Sequence, residues 1–127
     1  MREKRRVVVS AVLVLASCAP AATQRMMSAR PASGVVLTVT NDNWLDATVY
    51  AVRGTMRVRI GQATGNATTR LRIPRHVIVA DEVQLMVDLI GSLERYTTDP
   101  ISVARDQQVQ LNVAPVVNMS SYALRLR

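Results

Sequence analysis

The sequence predicts an all-β fold, a small immunoglobulin-like sandwich of about seven strands that occupies residues 35–127. Two observations carry this prediction. From Val35 onward, short runs that alternate apolar and polar residues are separated by turn residues about every 8–12 positions, a spacing typical of sandwiches and barrels. In addition, Phe is absent and only four residues are Trp or Tyr. The core must therefore come from smaller side chains, and the β-branched ones favour strands.

Seven runs predict strands, and turn residues separate them. In order, the runs are Val35–Thr40, Asp46–Arg53, Thr55–Ile60, Thr68–Ile73, Val83–Leu89, Tyr96–Val103 and Gln107–Val113. The triplet Asn41-Asp42-Asn43 closes the first run and Gly54 closes the second. Pro100 lies within the sixth run and lacks a backbone donor, so we expect that run at a sheet edge or a bulge.

Alternation within the runs predicts which side chains face the core, because successive residues of a strand point to opposite faces. In the third run we expect Met56, Val58 and Ile60 to face inward, with Arg57 and Arg59 outward. The same reasoning places a further set inward: Leu71, Ile73, Val83, Leu85, Val87, Leu89, Val109, Leu111 and Val113.

Two segments leave the strand count open. Residues 81–91 also fit a helix, since four apolar residues recur at helical spacing and Asp81 could cap the first turn. The four residues are Val83, Met86, Val87 and Ile90. A helix there would make the fold α+β, but we expect a strand because residues 77–80 are strongly β-prone. The last stretch, Ser120–Arg127, also alternates and is either an eighth strand or an extension that pairs with a partner.

The N-terminus has the three parts of a secretory signal peptide. Residues 1–6 are basic, residues 7–17 form an apolar stretch, and small residues follow around Cys18. The apolar stretch is shorter than the roughly 20 residues that a stable membrane span needs. Cys18 is the only cysteine in the chain, which excludes an intramolecular disulfide.

The segment Leu15-Ala16-Ser17-Cys18 resembles the lipobox of bacterial lipoproteins. The resemblance implies that Cys18 is a lipidation site, where a diacylglyceryl group with acyl chains such as palmitate is attached before the leader is removed. Two or more acyl chains anchor a protein stably, whereas one holds it only marginally. Ala19 is not the Asp that retains many lipoproteins in the inner membrane, so the resemblance favours the outer membrane, facing the periplasm. An ordinary cleaved signal and an uncleaved signal anchor are the alternatives.

The chain is thus expected to have three parts. Residues 1–17 are the lipoprotein signal peptide, residues 18–34 are the lipidated N-terminus and a flexible Ala/Ser/Pro-rich tether, and residues 35–127 are the β-sandwich domain. Residues 35–113 resemble small Val- and Arg-rich β-sandwich lipoproteins of environmental bacteria. The segments that carry this resemblance are Val39-Thr40-Asn41, Asp46-Ala47-Thr48-Val49-Tyr50, Arg59-Ile60-Gly61 and Pro100-Ile101-Ser102-Val103. This resemblance implies the sandwich and no particular activity.

The net charge of +7 is partly a property of the leader. Residues 18–127 hold twelve Arg, no Lys and eight acidic residues, a moderate surplus without a block of like charges, which argues against a nucleic-acid partner. Arg53, Arg57, Arg59, Arg70 and Arg72 come from three consecutive predicted strands and form one basic face if those strands are neighbours. Such a face suits lipid head groups, an anionic polysaccharide or an acidic envelope protein. The alternative is that these arginines only keep exposed strands soluble.

No motif in the sequence is typical of catalysis, of a cofactor site or of a metal site. His76 is the only histidine and lies in a predicted loop without a second ligand or an orienting carboxylate nearby in sequence. A Gly-x-Ser-x-Gly elbow and a glycine-rich phosphate loop are both missing, and the Asn41-Asp42-Asn43 triplet lacks the spacing of a calcium loop. We therefore expect no catalytic residue, no cofactor and no metal.

These observations lead to one principal hypothesis and two alternatives about function. The principal hypothesis is a membrane-anchored lipoprotein of the cell envelope that acts as a non-enzymatic binding or assembly module. The alternatives are an exported soluble sandwich without lipid, and an accessory domain for carbohydrate or envelope hydrolysis.

Overall fold

The computed structural model describes residues 34–104 and 106–126, which form a sandwich of two β-sheets. The predicted all-β sandwich is therefore confirmed. Its nine strands are β1 (Gly34–Asn41), β2 (Ala47–Arg53), β3 (Met56–Ala63), β4 (Ala67–Pro74), β5 (Glu82–Leu89), β6 (Arg95–Thr97), β7 (Ile101–Ser102), β8 (Gln107–Val113) and β9 (Ser121–Leu126). Two short 3-10 helices, Arg75–Val77 and Val117–Met119, lie in connections. The signal peptide, Cys18 and residues 19–33 fall outside the described residues.

The strand order distributes the chain over both sheets. The first sheet has the order β4-β1-β8-β9, and the second has the order β3-β2-β5-β6, with β7 also pairing to β5. The pairing of β1 with β8 is parallel, and all the other pairings in the described residues are antiparallel. In an immunoglobulin constant domain the first, second, fourth and fifth strands share one sheet. Here the first and fourth strands lie in one sheet and the second and fifth in the other.

The core consists of aliphatic side chains from the facing sides of the two sheets. Leu37 and Val39 of β1 belong to the same buried cluster as Val49 of β2 and Leu85 of β5, and all four are fully buried. Burial of one such side chain contributes about 1.5–3 kcal/mol relative to exposure. The alternation predicted for the seventh run, which forms β8, is also observed, because Val109, Leu111 and Val113 are all fully buried.

Residues 82–89 form a strand, so the helical alternative for residues 81–91 is wrong. β5 pairs with β2 over six residues, from Val52↔Gln84 to Ala47↔Leu89. Its four predicted core residues, Val83, Leu85, Val87 and Leu89, are all buried. A helix would have turned two of these four away from the core, which explains why a period of two prevails over the helical spacing.

Nine strands are present where about seven were expected, for two local reasons. The sixth predicted strand is interrupted, with β6 ending at Thr97 and β7 beginning at Ile101. Pro100 lies in the interruption, as its missing backbone donor requires. The C-terminal stretch forms β9, which pairs antiparallel with β8 at the edge of the first sheet.

The third strand departs from the predicted alternation because it contains a β-bulge. Tyr50 pairs with Arg59 whereas Val49 pairs with Gly61, so Ile60 is the extra residue. The bulge turns Gly61 inward and lets β3 continue to Ala63. Met56, which was expected to face inward, is 66% exposed at the start of the strand.

The two ends of the sandwich have different connections. At the proximal end, β1 begins at Gly34, the β2–β3 turn reverses the chain at Gly54-Thr55, and the 3-10 helix Arg75–Val77 follows β4. At the distal end lie the connections β1–β2, β3–β4, β5–β6 and β8–β9. An eight-residue strand is about 26 Å long, so the distal end lies roughly that far from the point where the chain enters the sandwich.

Candidate functional site

A buried asparagine organises the distal end. The Asn41 side chain is fully buried, and its Nδ2 donates to the carbonyl oxygens of Leu45 at 2.8 Å and Ala63 at 3.3 Å. Its Oδ1 accepts the backbone amide of Asn43 at 3.1 Å. One side chain thus ties the β1–β2 connection to the end of β3.

Two further polar residues bring the other distal connections together. The Asn43 side chain donates to the carbonyl of Pro115 at 2.9 Å and accepts the amide of Leu45 at 2.9 Å. The Asp46 carboxylate accepts the amide of Gly65 at 2.9 Å, and the Asp46 carbonyl accepts the amide of Ile90 at 2.8 Å. The other three connections are therefore each hydrogen-bonded to the β1–β2 connection, which holds the four together.

Exposed apolar side chains are concentrated on these connections. Five of the nine large hydrophobic residues that are exposed in the described part of the chain lie at the distal end. We call them the apolar tip: Trp44, Ile90, Leu93, Val116 and Met119. Trp44 is 77% exposed and Leu93 is fully exposed. Exposed aromatic and Met side chains with few neighbouring cations are typical of the centre of a protein interface.

The apolar tip was not predicted from the sequence. Its members are single apolar residues that directly follow turn residues, as in Asn43-Trp44, Ser92-Leu93 and Asn118-Met119. Loops position their side chains at the surface, so an apolar residue beside a turn residue was the available signal. Their convergence depends on the strand order.

Acidic groups surround the apolar tip. Asp42 and Glu94 are exposed on its connections. Arg95 is the one arginine of the described residues with a carboxylate within 4.0 Å, since its Nε lies 3.4 Å from Asp88 Oδ1. The distal end therefore combines apolar side chains with a negative rim.

Four of the five arginines proposed as one basic face lie on two opposite faces, so that part of the prediction is wrong. Arg57 and Arg59 pair with Val52 and Tyr50 and project from the outer face of the second sheet. Arg70 and Arg72 pair with Thr38 and Val36 and project from the outer face of the first sheet. The reason is that β3 and β4 are edge strands of different sheets, joined where the chain crosses at residues 64–66. Arg53 ends β2 at the proximal end.

Three of the five predicted arginines, together with Arg75, lie at the proximal end, and we call this group the basic end. It comprises Arg53 at the β2–β3 turn, Arg57 near the start of β3, Arg72 near the end of β4, and Arg75 in the first 3-10 helix. A guanidinium nitrogen of Arg72 donates to the carbonyl of Gly34 at 3.3 Å, directly where β1 begins. None of these four guanidinium groups has a described carboxylate within 4.0 Å.

A small pocket opens at the basic end. It has a volume of about 100 Å³ and is lined by Ala51, Val52, Arg53, Met56, Val58, His76 and Val77. His76 is exposed in the 3-10 helix, as expected of a surface residue. The pocket is apolar inside, with one guanidinium and one imidazole among its lining groups.

Tyr96 is the described group with a shifted pKa. Burial is the largest cause, because it disfavours the phenolate, and the negative charges of Asp99 and of ionised Tyr122 act in the same direction. Together they raise the pKa of Tyr96 above its ordinary value of 10.0. Tyr96 and Tyr122 are half-buried against the core from β6 and β9, so this hydroxyl remains neutral at physiological pH.

Comparisons with known proteins do not assign the chain to a family, because it matches no protein-family model and no curated protein. Neither helix in the described part of the chain has the length and apolar character to span a bilayer. Within residues 34–104 and 106–126, no three His, Cys, Asp or Glu side chains converge on a common point that could hold a metal ion.

Proposed function

We propose that this chain is a lipid-anchored protein of the bacterial cell envelope that acts as a non-enzymatic binding or assembly module. The observation that carries the binding role is the apolar tip. Its five side chains project from connections that the Asn41, Asn43 and Asp46 hydrogen bonds hold together. A preorganised surface loses little conformational entropy when it binds a partner. The anchor rests on the lipobox resemblance at Cys18.

The position of the tip suits a tethered protein. The chain enters the sandwich at Gly34 on the proximal end, and the tip lies on the opposite end. A domain anchored through Cys18 would thus present the tip away from its point of attachment. The negative rim formed by Asp42 and Glu94 matches an envelope protein whose own apolar contact surface is surrounded by cations.

The anchor is tested by mass spectrometry of the mature N-terminus. We expect the first residue to be Cys18, with a mass increment equal to a diacylglyceryl group and, if its amine is acylated, a third chain. Replacement of Cys18 by Ser should abolish the mass increment. Any polypeptide that is still cleaved, at another site after the leader, should then be released from the membrane fraction. An unmodified N-terminus beyond Cys18 would support the alternative of a soluble exported sandwich.

The binding role is tested by site-specific photo-crosslinking in cells. A photoreactive residue in place of Leu93 should yield a discrete crosslinked species, and Trp44→Ser should abolish it. The matched control places the same photoreactive residue at Ala123, which is exposed on the outer face of the first sheet. Equal crosslinking from both positions, or none from position 93, would contradict a docking role for the tip.

An anionic polysaccharide is a second candidate partner, favoured by the outer face of the first sheet. Arg70, Arg72 and Arg125 project from this face among Thr, Gln and Asn side chains, and no described carboxylate is part of it. Binding to a purified envelope polyanion should weaken in Arg70→Gln with Arg125→Gln and should not respond to Trp44→Ser. The reverse result would favour the protein partner.

A further inference from the structure

We propose that the basic end is a docking surface for anionic phospholipid head groups, and that it sets the domain upright on the membrane that holds its anchor. This inference rests on the proposed function, because it assumes that the chain is attached at Cys18. It adds a second membrane contact that the anchor alone does not provide. It also assigns the two ends of the sandwich different partners, lipid at the proximal end and protein at the distal end.

The first argument is position. Gly34, where the chain enters the sandwich, is hydrogen-bonded to Arg72 at 3.3 Å. Arg53 and Arg75 belong to the two connections beside it, the β2–β3 turn and the first 3-10 helix. Attachment through the N-terminus therefore leaves these arginines at the end of the sandwich that is nearest to the anchor along the chain.

The second argument is charge. Arg53, Arg57, Arg72 and Arg75 have no described ion-pair partner, so their charges remain available to a ligand. The carboxylates at this end belong to Asp81, Glu82 and Asp106, and Glu82 borders the same groove as Arg53. Four arginines against these three carboxylates leave a positive surplus of one charge. Arginine guanidinium groups bind phosphate in a planar, two-pronged manner.

The third argument is the exposed side chain at the β2–β3 turn. Met56 is 66% exposed and follows the Arg53-Gly54-Thr55 turn directly, with Arg57 after it. An apolar residue flanked by two arginines can enter the boundary between head groups and acyl chains while the cations contact phosphates. Two further large apolar side chains are exposed at the proximal end among the described residues, Val79 at 41% in the groove beside Arg53 and Leu126 at 79% at the end of β9.

The short segment between the anchor and the domain means that even a weak contact between the basic end and the head groups keeps the domain docked. About sixteen residues separate Cys18 from Gly34, so the basic end can lie at most about 55 Å from the anchored cysteine. A tether of this length keeps the effective concentration of the surface high, and a modest intrinsic affinity for head groups then gives a largely docked population.

The test measures partition to lipid vesicles without the anchor. The mature polypeptide, residues 18–127 with Cys18→Ser and no acyl group, contains every described residue. It is mixed with vesicles of phosphatidylglycerol and phosphatidylcholine, or of phosphatidylcholine alone, and sedimented. We expect binding only to the vesicles that contain phosphatidylglycerol, and loss of binding at high salt.

Variants locate the contact. Arg53→Gln with Arg75→Gln should lower partition about 25-fold, because each removed cation corresponds to about fivefold at an anionic surface. The matched control, Arg59→Gln with Arg70→Gln, removes the same charge from the two outer faces and should lower it less than about fivefold. Glu82→Gln should raise partition. Thermal midpoints of all variants verify that the sandwich is intact.

Three outcomes overturn the proposal. They are failure of the parent polypeptide to bind phosphatidylglycerol vesicles, an equal loss in the two double variants, and quenching of Trp44 fluorescence by brominated lipid. The last result would place the apolar tip in the bilayer instead. The mass of the mature N-terminus is measured separately, so a missing lipid anchor and a missing lipid-binding surface are distinguishable.

Discussion

The Oδ1 atom of Asn41 accepts the backbone amide of Asn43 at 3.1 Å, and both side chains are buried. A buried amide group is stabilising only when its donors and acceptors are paired. Asn41 satisfies this condition with carbonyls from two other segments, and Asn43 does so with the carbonyl of Pro115. The pair therefore determines how the distal connections are arranged.

Replacement of Asn41 by Leu should lower the free energy of unfolding by about 3 kcal/mol, because it leaves two buried carbonyls and one amide without a partner. Chemical denaturation measures the change. The control is Asn112→Leu, at an exposed position on the outer face of β8, where a change within about 0.5 kcal/mol is expected. Equal losses at both positions would contradict the assigned role of Asn41.

Replacement of Gly65 by Ala should destabilise the fold by about 2 kcal/mol. A Cβ atom at Gly65 would lie 2.7 Å from the carbonyl carbon of Trp44 and still closer to its oxygen, and this backbone is held by the Asn43 contacts. Thermal unfolding measures the effect.

The comparison variant is Gly61→Ala, whose Cβ would lie 2.7 Å from the end of the Leu71 side chain. That side chain can rotate away, so the loss should be smaller than at Gly65. A larger loss at Gly61 would show that Leu71 is held more rigidly than the Trp44 backbone.

Replacement of Ala80 by Gly should raise the stability by about 0.5–1 kcal/mol. Ala80 has φ of 50° and Asp81 has φ of 59°, and the amides and carbonyls of Val79 and Glu82 bond each other across them. Such two-residue turns favour Gly, since a left-handed conformation costs an L-residue about 1–2 kcal/mol. Glycine avoids this cost, but its greater conformational entropy in the unfolded chain offsets part of the gain in stability. A lower unfolding midpoint would contradict the assigned strain.

Stability should fall as the pH rises above about 10, and Tyr96→Phe should weaken this dependence. The folded state raises the pKa of Tyr96 from 10.0, so the folded state holds its proton more tightly than the unfolded state. The corresponding stabilisation is complete below pH 10 and is lost as the pH rises toward and through the folded value.

Denaturant midpoints between pH 8 and pH 11.5 measure this dependence. Residues 18–127 contain no Lys, so lysine side chains do not obscure the contribution of Tyr96 in this range. Identical slopes in the parent chain and in Tyr96→Phe would exclude the proposed contribution.

The alternation of apolar and polar residues between turn residues was enough to predict the sandwich and most of its strands. The seventh predicted strand, Gln107–Val113, has the observed bounds of β8, because Val109, Leu111 and Val113 alternate with polar residues and face one core. The bulge at Ile60 was not predictable, since it depends on how β3 pairs with β2.

The candidate surfaces were less predictable than the strands. Arg57 and Arg59 have the same spacing as Arg70 and Arg72, yet the two pairs face opposite sides of the molecule, because the chain changes sheets between them. The apolar tip was missed for the same reason, because the strand order brings its side chains to one end of the sandwich. Lipidation at Cys18 lies outside the described residues and stays a prediction.

The parallel pairing of β1 with β8 has a consequence for how the chain folds. Leu37 pairs with Val109, about seventy residues later, so the central ladder of the first sheet cannot form until nearly the whole chain is present. Contacts of such high sequence separation slow folding. A chain that emerges N-terminus first would keep Val35–Val39 uncovered on one side until β8 emerges. Late folding of this kind is compatible with export through a channel that admits only unfolded polypeptide.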